Sequence, residues 1–138
     1  MAGQSAWGDY DGDGDLDLAL CGDDQVKIYV NENGILGLGG QSAQVGCLDM
    51  AWGDWDNDQD LDLAVGNYNK PSQVYENIAG SLDLAWTAPY TRTSISLAWG
   101  DYDSDGLLDL ALGNRDDPNQ VYRNTGSGLS LNWSAPIT

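Results

Sequence analysis

Three short segments carry aspartate at alternate positions: Asp9, Asp11, Asp13, Asp15 and Asp17; Asp54, Asp56, Asp58, Asp60 and Asp62; then Asp101, Asp103, Asp105 and Asp109. Carboxylates crowded in this way repel one another, by about 1 kcal/mol per solvent-screened pair and several times more where water is excluded. They call for a cationic partner, and the spacing suits a hard divalent ion. Side chains at loop positions 1, 3 and 5 can curl around one ion, position 7 can offer its backbone carbonyl, and a carboxylate at position 9 can close the sphere as the next strand starts. Calcium takes six to eight oxygens at about 2.3 to 2.6 Å, whereas magnesium prefers to keep its own water. Position 7 is Asp15, Asp60 and Leu107. A site that used this side chain could not accept leucine, so the carbonyl is assigned and the Asp15 and Asp60 carboxylates are left over. Position 6 is Gly14, Gln59 and Gly106. A turn with positive φ there suits glycine and costs a residue with a Cβ about 1 to 2 kcal/mol, which predicts the weakest binding in the middle loop. Position 4 holds small turn formers, Gly12, Asn57 and Ser104.

Composition removes several other chemistries. The 138 residues include 22 acids, 5 bases and no histidine, for a formal charge of −17. Five scattered bases build no patch for nucleic acid or an anionic membrane, and the commonest general base near neutral pH is missing. Paired carboxylates can hydrolyse glycosides, but every pair here belongs to a loop. Asp23, Asp24, Asp49, Asp83, Asp116 and Asp117 read as surface or turn residues, so no catalytic residue is named and no enzyme activity is expected. Cys21 and Cys47 form neither a closely spaced metal-type pair nor a disulfide framework. They are expected as two separate free thiols in preference to a bridge. No basic-then-apolar leader is present in this chain, and no apolar run approaches membrane-spanning length.

The aspartate segments belong to a longer repeat. AWGDYDGDGDLDLAL runs from Ala6 to Leu20, AWGDWDNDQDLDLAV from Ala51 to Val65, and AWGDYDSDGLLDLAL from Ala98 to Leu112. IYVN, VYEN and VYRN follow, ending at Asn31, Asn77 and Asn124, and WTAP at Trp86 recurs as WSAP at Trp133, where the first copy has LGLGG instead. Each unit reads as four short strands: the stretch ending in AWG, the LDLAL run, a short aromatic strand and a fourth before the next unit. Gly and Asn at the junctions favour tight turns, and helix content should be close to nil. A unit of about 45 residues with four strands is the size of one β-propeller blade. The small residues of AWG let inner strands approach an axis while Trp and Tyr fill the space between sheets.

One repeat domain over residues 1–138 is therefore expected, with blades at about 3–44, 45–91 and 92–138. Closed propellers have about 4 to 8 blades, and the outer units here keep the apolar strands of the middle one rather than polar caps. Joined tail to head, Pro136 would precede Ala6 by nearly the interval that separates Pro89 from Ala98. A homodimer completing a six-bladed ring follows as the expected assembly.

DYDGDGDLDLAL, DWDNDQDLDLAV and DYDSDGLLDLAL, each preceded by AWG, resemble the FG-GAP or VCBS-type repeats of calcium-binding β-propellers, the class of the integrin α-subunit head and of many bacterial extracellular proteins. The resemblance covers nearly the whole chain. It implies an all-β propeller of four-stranded antiparallel blades, one calcium loop between the first and second strands of each, and about three calcium ions per chain. Carried over, the side-chain ligands are Asp9, Asp11, Asp13 and Asp17, Asp54, Asp56, Asp58 and Asp62, and Asp101, Asp103, Asp105 and Asp109. An extracellular or cell-surface setting is also implied. Gln59 at the usual glycine, Cys21 where the other copies have Gly66 and Gly113, and the low blade number depart from the pattern. The expected role is a calcium-stabilised scaffold, structural, self-assembling or protein-binding. The alternative is a lectin with sugars between blades, using Trp86 and Trp133 for stacking and Asn67 and Asn114 for hydrogen bonds.

Overall fold

The LDLAV strand sets Leu61, Leu63 and Val65 on one face and Asp62 and Ala64 on the other, and stacked sheets cover both faces of the middle blade. The computed structural model describes residues 4–22, 25–42 and 46–136. The first sheet contains β1 (Ser5–Gly8), β2 (Asp17–Gly22), β3 (Gln25–Glu32) and β4 (Ile35–Gln41). The second contains β5 (Cys47–Gly53), β6 (Asp62–Asn67), β7 (Gln73–Ile78) and β8 (Ser81–Thr87), and the third β9 (Ser94–Gly100), β10 (Asp109–Asn114), β11 (Gln120–Asn124) and β12 (Leu129–Ser134). Each is an antiparallel meander in chain order, and no helix occurs among the described residues. LGLGG, although diverged, still forms β4. The expected boundary at 44/45, together with Asp23, Asp24, Ile137 and Thr138, lies outside the described residues.

The burial of the second strands follows the stacking. All six residues of β6 in the middle blade are buried, whereas β2 and β10 alternate between buried and more exposed positions. The core is accordingly two interblade layers. Tyr10, Ala19, Val26 and Ile28 of the first blade pack on Met50, Leu63, Val65 and Tyr75 of the second. Ala64 and Val74 of the second blade pack on Leu97, Leu110, Leu112, Tyr122 and Leu129 of the third.

A tryptophan lock joins each pair of blades. Trp52 Nε1 donates to the Ala6 carbonyl (3.4 Å) and Trp99 Nε1 to the Ala51 carbonyl (3.1 Å). The ring lies on the glycine of the preceding AWG: a Cβ at Gly8 would come within 2.8 Å of Trp52, and one at Gly53 within 2.7 Å of Trp99. Glycine is needed at these positions to admit the neighbour's indole.

The cysteines correct an expectation. Cys21 on β2 and Cys47 on β5 form a disulfide, with Cα atoms 5.8 Å apart, and so staple the first blade to the second. Between the second and third blades the same place is held by Gly66 against Ser94, where an added Cβ would lie 2.8 Å from the Ser94 carbonyl oxygen. Linear spacing gave no sign of this pairing, because stacking brings the second strand of one blade beside the first strand of the next.

Candidate metal centres

Each acidic loop spans the turn between the first and second strands of its blade, and two left-handed residues fold it. Position 4 has φ of 75° at Gly12, 63° at Asn57 and 62° at Ser104; position 6 has 96° at Gly14, 81° at Gln59 and 88° at Gly106. The turn expected at position 6 is present in all three loops, Gln59 included, and a second lies at position 4. This winding turns backbone N–H groups onto the carboxylates. The amides of Gly14, Gln59 and Gly106 donate to Oδ2 of Asp9, Asp54 and Asp101 at 3.1, 3.1 and 2.9 Å. Those of Asp15, Asp60 and Leu107 donate to Oδ1 of Asp13, Asp58 and Asp105 at 2.8, 2.8 and 3.0 Å.

Carboxylate oxygens thereby converge. One oxygen from each of Asp9, Asp11 and Asp13 lies within 4.8 Å of the others, as do oxygens of Asp54, Asp56 and Asp58, and of Asp101, Asp103 and Asp109. The donor set is all oxygen, and Asp9 Oδ1 is buried with no hydrogen-bond partner. A lone carboxylate oxygen out of water is costly unless something positive reaches it, so these residues fit a hard divalent cation.

The position 9 aspartates have a further task that spacing did not reveal. Asp17, Asp62 and Asp109 are almost wholly buried. Asp62 Oδ2 accepts the Trp55 amide and Oδ1 the Asn77 amide, both at 2.9 Å. Asp17 receives Tyr10 and Asn31 in the same way, and Asp109 receives Tyr102 and Asn124. Each thus ties its own loop to the third strand of its blade. Among protein groups alone, burial pushes the Asp62 carboxyl up to about 7; the Asn77 and Trp55 amides pull against this, and Asp56 and Asp58 add to it. Burial also raises Asp11, Asp56 and Glu76, with neighbouring carboxylates contributing.

The three loops differ through the residue before the third-strand asparagine, which is Val30, Glu76 or Arg123. Glu76 brings another carboxylate beside Asp56. Arg123 binds Asp103 through Nε and Asp105 through Nη2 (2.9 Å), and the gathered trio in this loop uses Asp109 in place of Asp105. In the second and third blades the Asn at the end of YxN is also a joint: Asn77 Nδ2 donates to the Tyr10 carbonyl (2.8 Å) and Asn124 Nδ2 to the Trp55 carbonyl (2.7 Å), each reaching back to the preceding blade's loop. Its recurrence in IYVN, VYEN and VYRN was the signal available in the sequence. Asp49, expected as a surface or turn residue, is instead half-buried and accepts the Leu97 amide of the next blade at 2.9 Å.

The FG-GAP-like repeat description matches residues 9–65 and 54–112, two overlapping runs from one aspartate loop through the second strand of the next blade. The chain belongs to the FG-GAP-like repeat family. No curated protein matches it significantly. Among solved structures, it is similar to a chain of BBS1N in complex with ARL6DN, soaked with lead, with a TM-score of 0.63 at 14% identity. The match covers 94% of this chain and 42% of the other, so this chain spans less than half the length of that neighbour. At such identity the likeness establishes the fold alone: these repeats are propeller-type blades.

Within this FG-GAP-like fold, three of the four residues considered for sugars make internal contacts. Trp86 Nε1 donates to the Leu129 carbonyl (3.0 Å), and its ring meets Tyr122 edge-on at 5.0 Å. Asn67 and Asn114 are buried and close turns by donating to the carbonyls of Pro71 (2.7 Å) and Pro118 (2.8 Å). Trp133 is 51% exposed on β12.

Proposed function

We propose that this chain is a calcium-stabilised β-propeller scaffold with a structural, self-assembling or protein-binding role and no catalysis. The observation that carries it is the convergence of three carboxylate oxygens in each of three equivalent loops, with Asp9 Oδ1 buried and unpaired. Asp9, Asp11 and Asp13, Asp54, Asp56 and Asp58, and Asp101, Asp103, Asp105 and Asp109 would hold the ions, with Asp17 and Asp62 closing the first two sites and the carbonyls of Asp15, Asp60 and Leu107 at position 7. Calcium supplies the positive charge that lets these carboxylates stay ionised side by side, and three ions would bring the formal charge from −17 to −11, each adding two. The chain's own residues supply the register: positions 4 and 6 wind the loop, and position 9 ties it to the third strand. Family membership and the Cys21–Cys47 disulfide support an extracellular setting, since disulfides persist in oxidising compartments.

Calorimetric titration tests this reading, and three calcium-binding steps per chain are expected. Asp62, Asp56 and Glu76 hold raised carboxyl groups that must lose protons to coordinate, so affinity rises with pH, by about tenfold or more between pH 6 and 8 at the middle site. Heat-silent titrations at both pH values would refute calcium binding.

The loops should also bind unequally. Gln59 carries its left-handed strain, but Glu76 gives the same loop an added carboxylate, while Arg123 occupies two carboxylates of the third. The third loop is therefore expected to be the weakest. Freeing Asp103 and Asp105 in Arg123→Gln should tighten that step about tenfold, the equivalent of one charge-assisted bond of about 1.4 kcal/mol. An unchanged isotherm would show that the guanidinium does not compete.

A further inference from the structure

The two interblade contacts within the chain are copies of one another, and half of a third lies at each end of the stack. Trp52 rests on Gly8 and Trp99 on Gly53, each bonding the preceding alanine carbonyl. On the first blade the equivalent indole, Trp7, is 56% exposed, and Leu16, whose counterpart Leu61 packs beside Trp52 at Gly8, is 55% exposed. On the third blade the equivalent glycine, Gly100, has nothing within 4 Å of where a Cβ would stand. Around it, Ala98, Tyr102, Ala111 and Val121 line a groove of about 240 Å³.

Comparison with the buried counterparts shows what this groove lacks. Ala19 and Ala64 are fully buried, but Ala111 is exposed; Ile28 and Val74 are fully buried, but Val121 is half-buried. On the opposite edge, Leu63, Val65 and Tyr75 are buried in the second blade, and their counterparts Leu18, Leu20 and Tyr29 in the first are half-buried. The missing neighbour of the third blade is thus a tryptophan-bearing blade face with the residue types of the first blade, and the missing neighbour of the first is a glycine-bearing face like that of the third.

We infer that the groove over Gly100 receives Trp7 of a second copy of this chain, with the indole N–H on the Ala98 carbonyl, and that two copies joined head to tail at both ends close a six-bladed ring. Continuity with the two internal interfaces selects this occupant: the same residue types fill the same places in both. The inference rests on the scaffold reading and names the partner in its self-assembly. Each interface is heterologous, and a heterologous contact whose rotation closes yields a ring rather than a filament. Six blades lie within the range of about 4 to 8 found in closed propellers, and the nine of a trimer do not.

Native mass spectrometry and light scattering on the full chain with calcium test it. The parent, at 14.8 kDa per chain, should run as a dimer of about 30 kDa at micromolar concentration. Gly100→Val adds its branches to open space in one chain but into the indole of the second copy, and Trp7→Ala removes the knob from the opposite edge. Each should leave the circular dichroism spectrum and the calcium titration of the folded chain in place while weakening dimerisation about 100-fold, the scale of a central interface tryptophan. A parent that is strictly monomeric, a trimer, or a dimer indifferent to both substitutions would overturn the inference. The calcium titration on the same samples reports the scaffold reading separately, since each carboxylate trio comes from one blade's own residues.

Discussion

Removing calcium is expected to lower the melting temperature by roughly 20 °C. A ligand that binds only the folded chain adds about 2.7 kcal/mol at a free concentration one hundred times its Kd, so three such sites supply about 8 kcal/mol. A domain of this length shifts by about 3 °C per kcal/mol. The loss should be restored by calcium and much less by magnesium, since three converging carboxylates per loop suit the larger ion that dehydrates more readily. The Cys21–Cys47 staple remains in chelator and holds the first two blades together, so the third blade, without such a bond, should melt first. Superimposable thermal scans in calcium and in chelator would contradict the stabilising role.

Truncating a position 9 carboxylate should be damaging even without calcium. In Asp62→Ala the amides of Trp55 and Asn77 lose their acceptors in a site with no exposed surface. At about 1 to 3 kcal/mol for each orphaned buried donor, the expected loss is about 3 to 5 kcal/mol. Asp60→Ala, two residues away and exposed, should cost under about 0.5 kcal/mol. Urea unfolding in excess chelator separates this anchor from any metal effect; equal midpoints for the two variants would show that Asp62 serves the ion alone. The same curves carry a pH signature. The Asp62 carboxyl is raised to about 7 in the folded chain from an ordinary value near 3.9, so the folded state holds the extra proton between those values. Stability in chelator therefore falls as pH rises from about 4 to 7, and Asp62→Ala should flatten that slope.

Both expectations rest on the aspartates of one loop serving two tasks. Carboxylates of positions 1 and 3 gather at the loop, joined by position 5 in the first two loops and by Asp109 in the third, while the position 9 carboxylates also accept backbone amides. Those bonds run from the loop to the third strand, whose terminal asparagine reaches the preceding blade in Asn77 and Asn124. The loops are thereby connected to the packing of neighbouring blades. Self-repulsion at a formal charge of −17 opposes both folding and association, and divalent cations on the loops would reduce it.

What the sequence determined by itself was everything set by local chemistry and period. The AWG units separated the strands, the Gly and Asn junctions placed the turns, and Gly14 and Gly106 announced a left-handed residue that Gln59 also adopts. The filling of the space between sheets by Trp and Tyr was legible as well, because these large side chains recur once per unit beside the small residues of AWG. Only the tertiary structure decided which blade edge meets which. The Trp52–Ala6, Trp99–Ala51, Asn77–Tyr10 and Asn124–Trp55 bonds join residues 46, 48, 67 and 69 apart, and the Cys21–Cys47 bridge and the Asp49–Leu97 bond are equally non-local. Arg123 over the third loop belongs to the same group, since its reach to Asp103 and Asp105 depends on the third strand lying beside the second. Alternation along a strand specifies which side of a sheet a residue faces; the neighbour it meets there is set by the stacking and twist of whole sheets, which no window of a few residues contains.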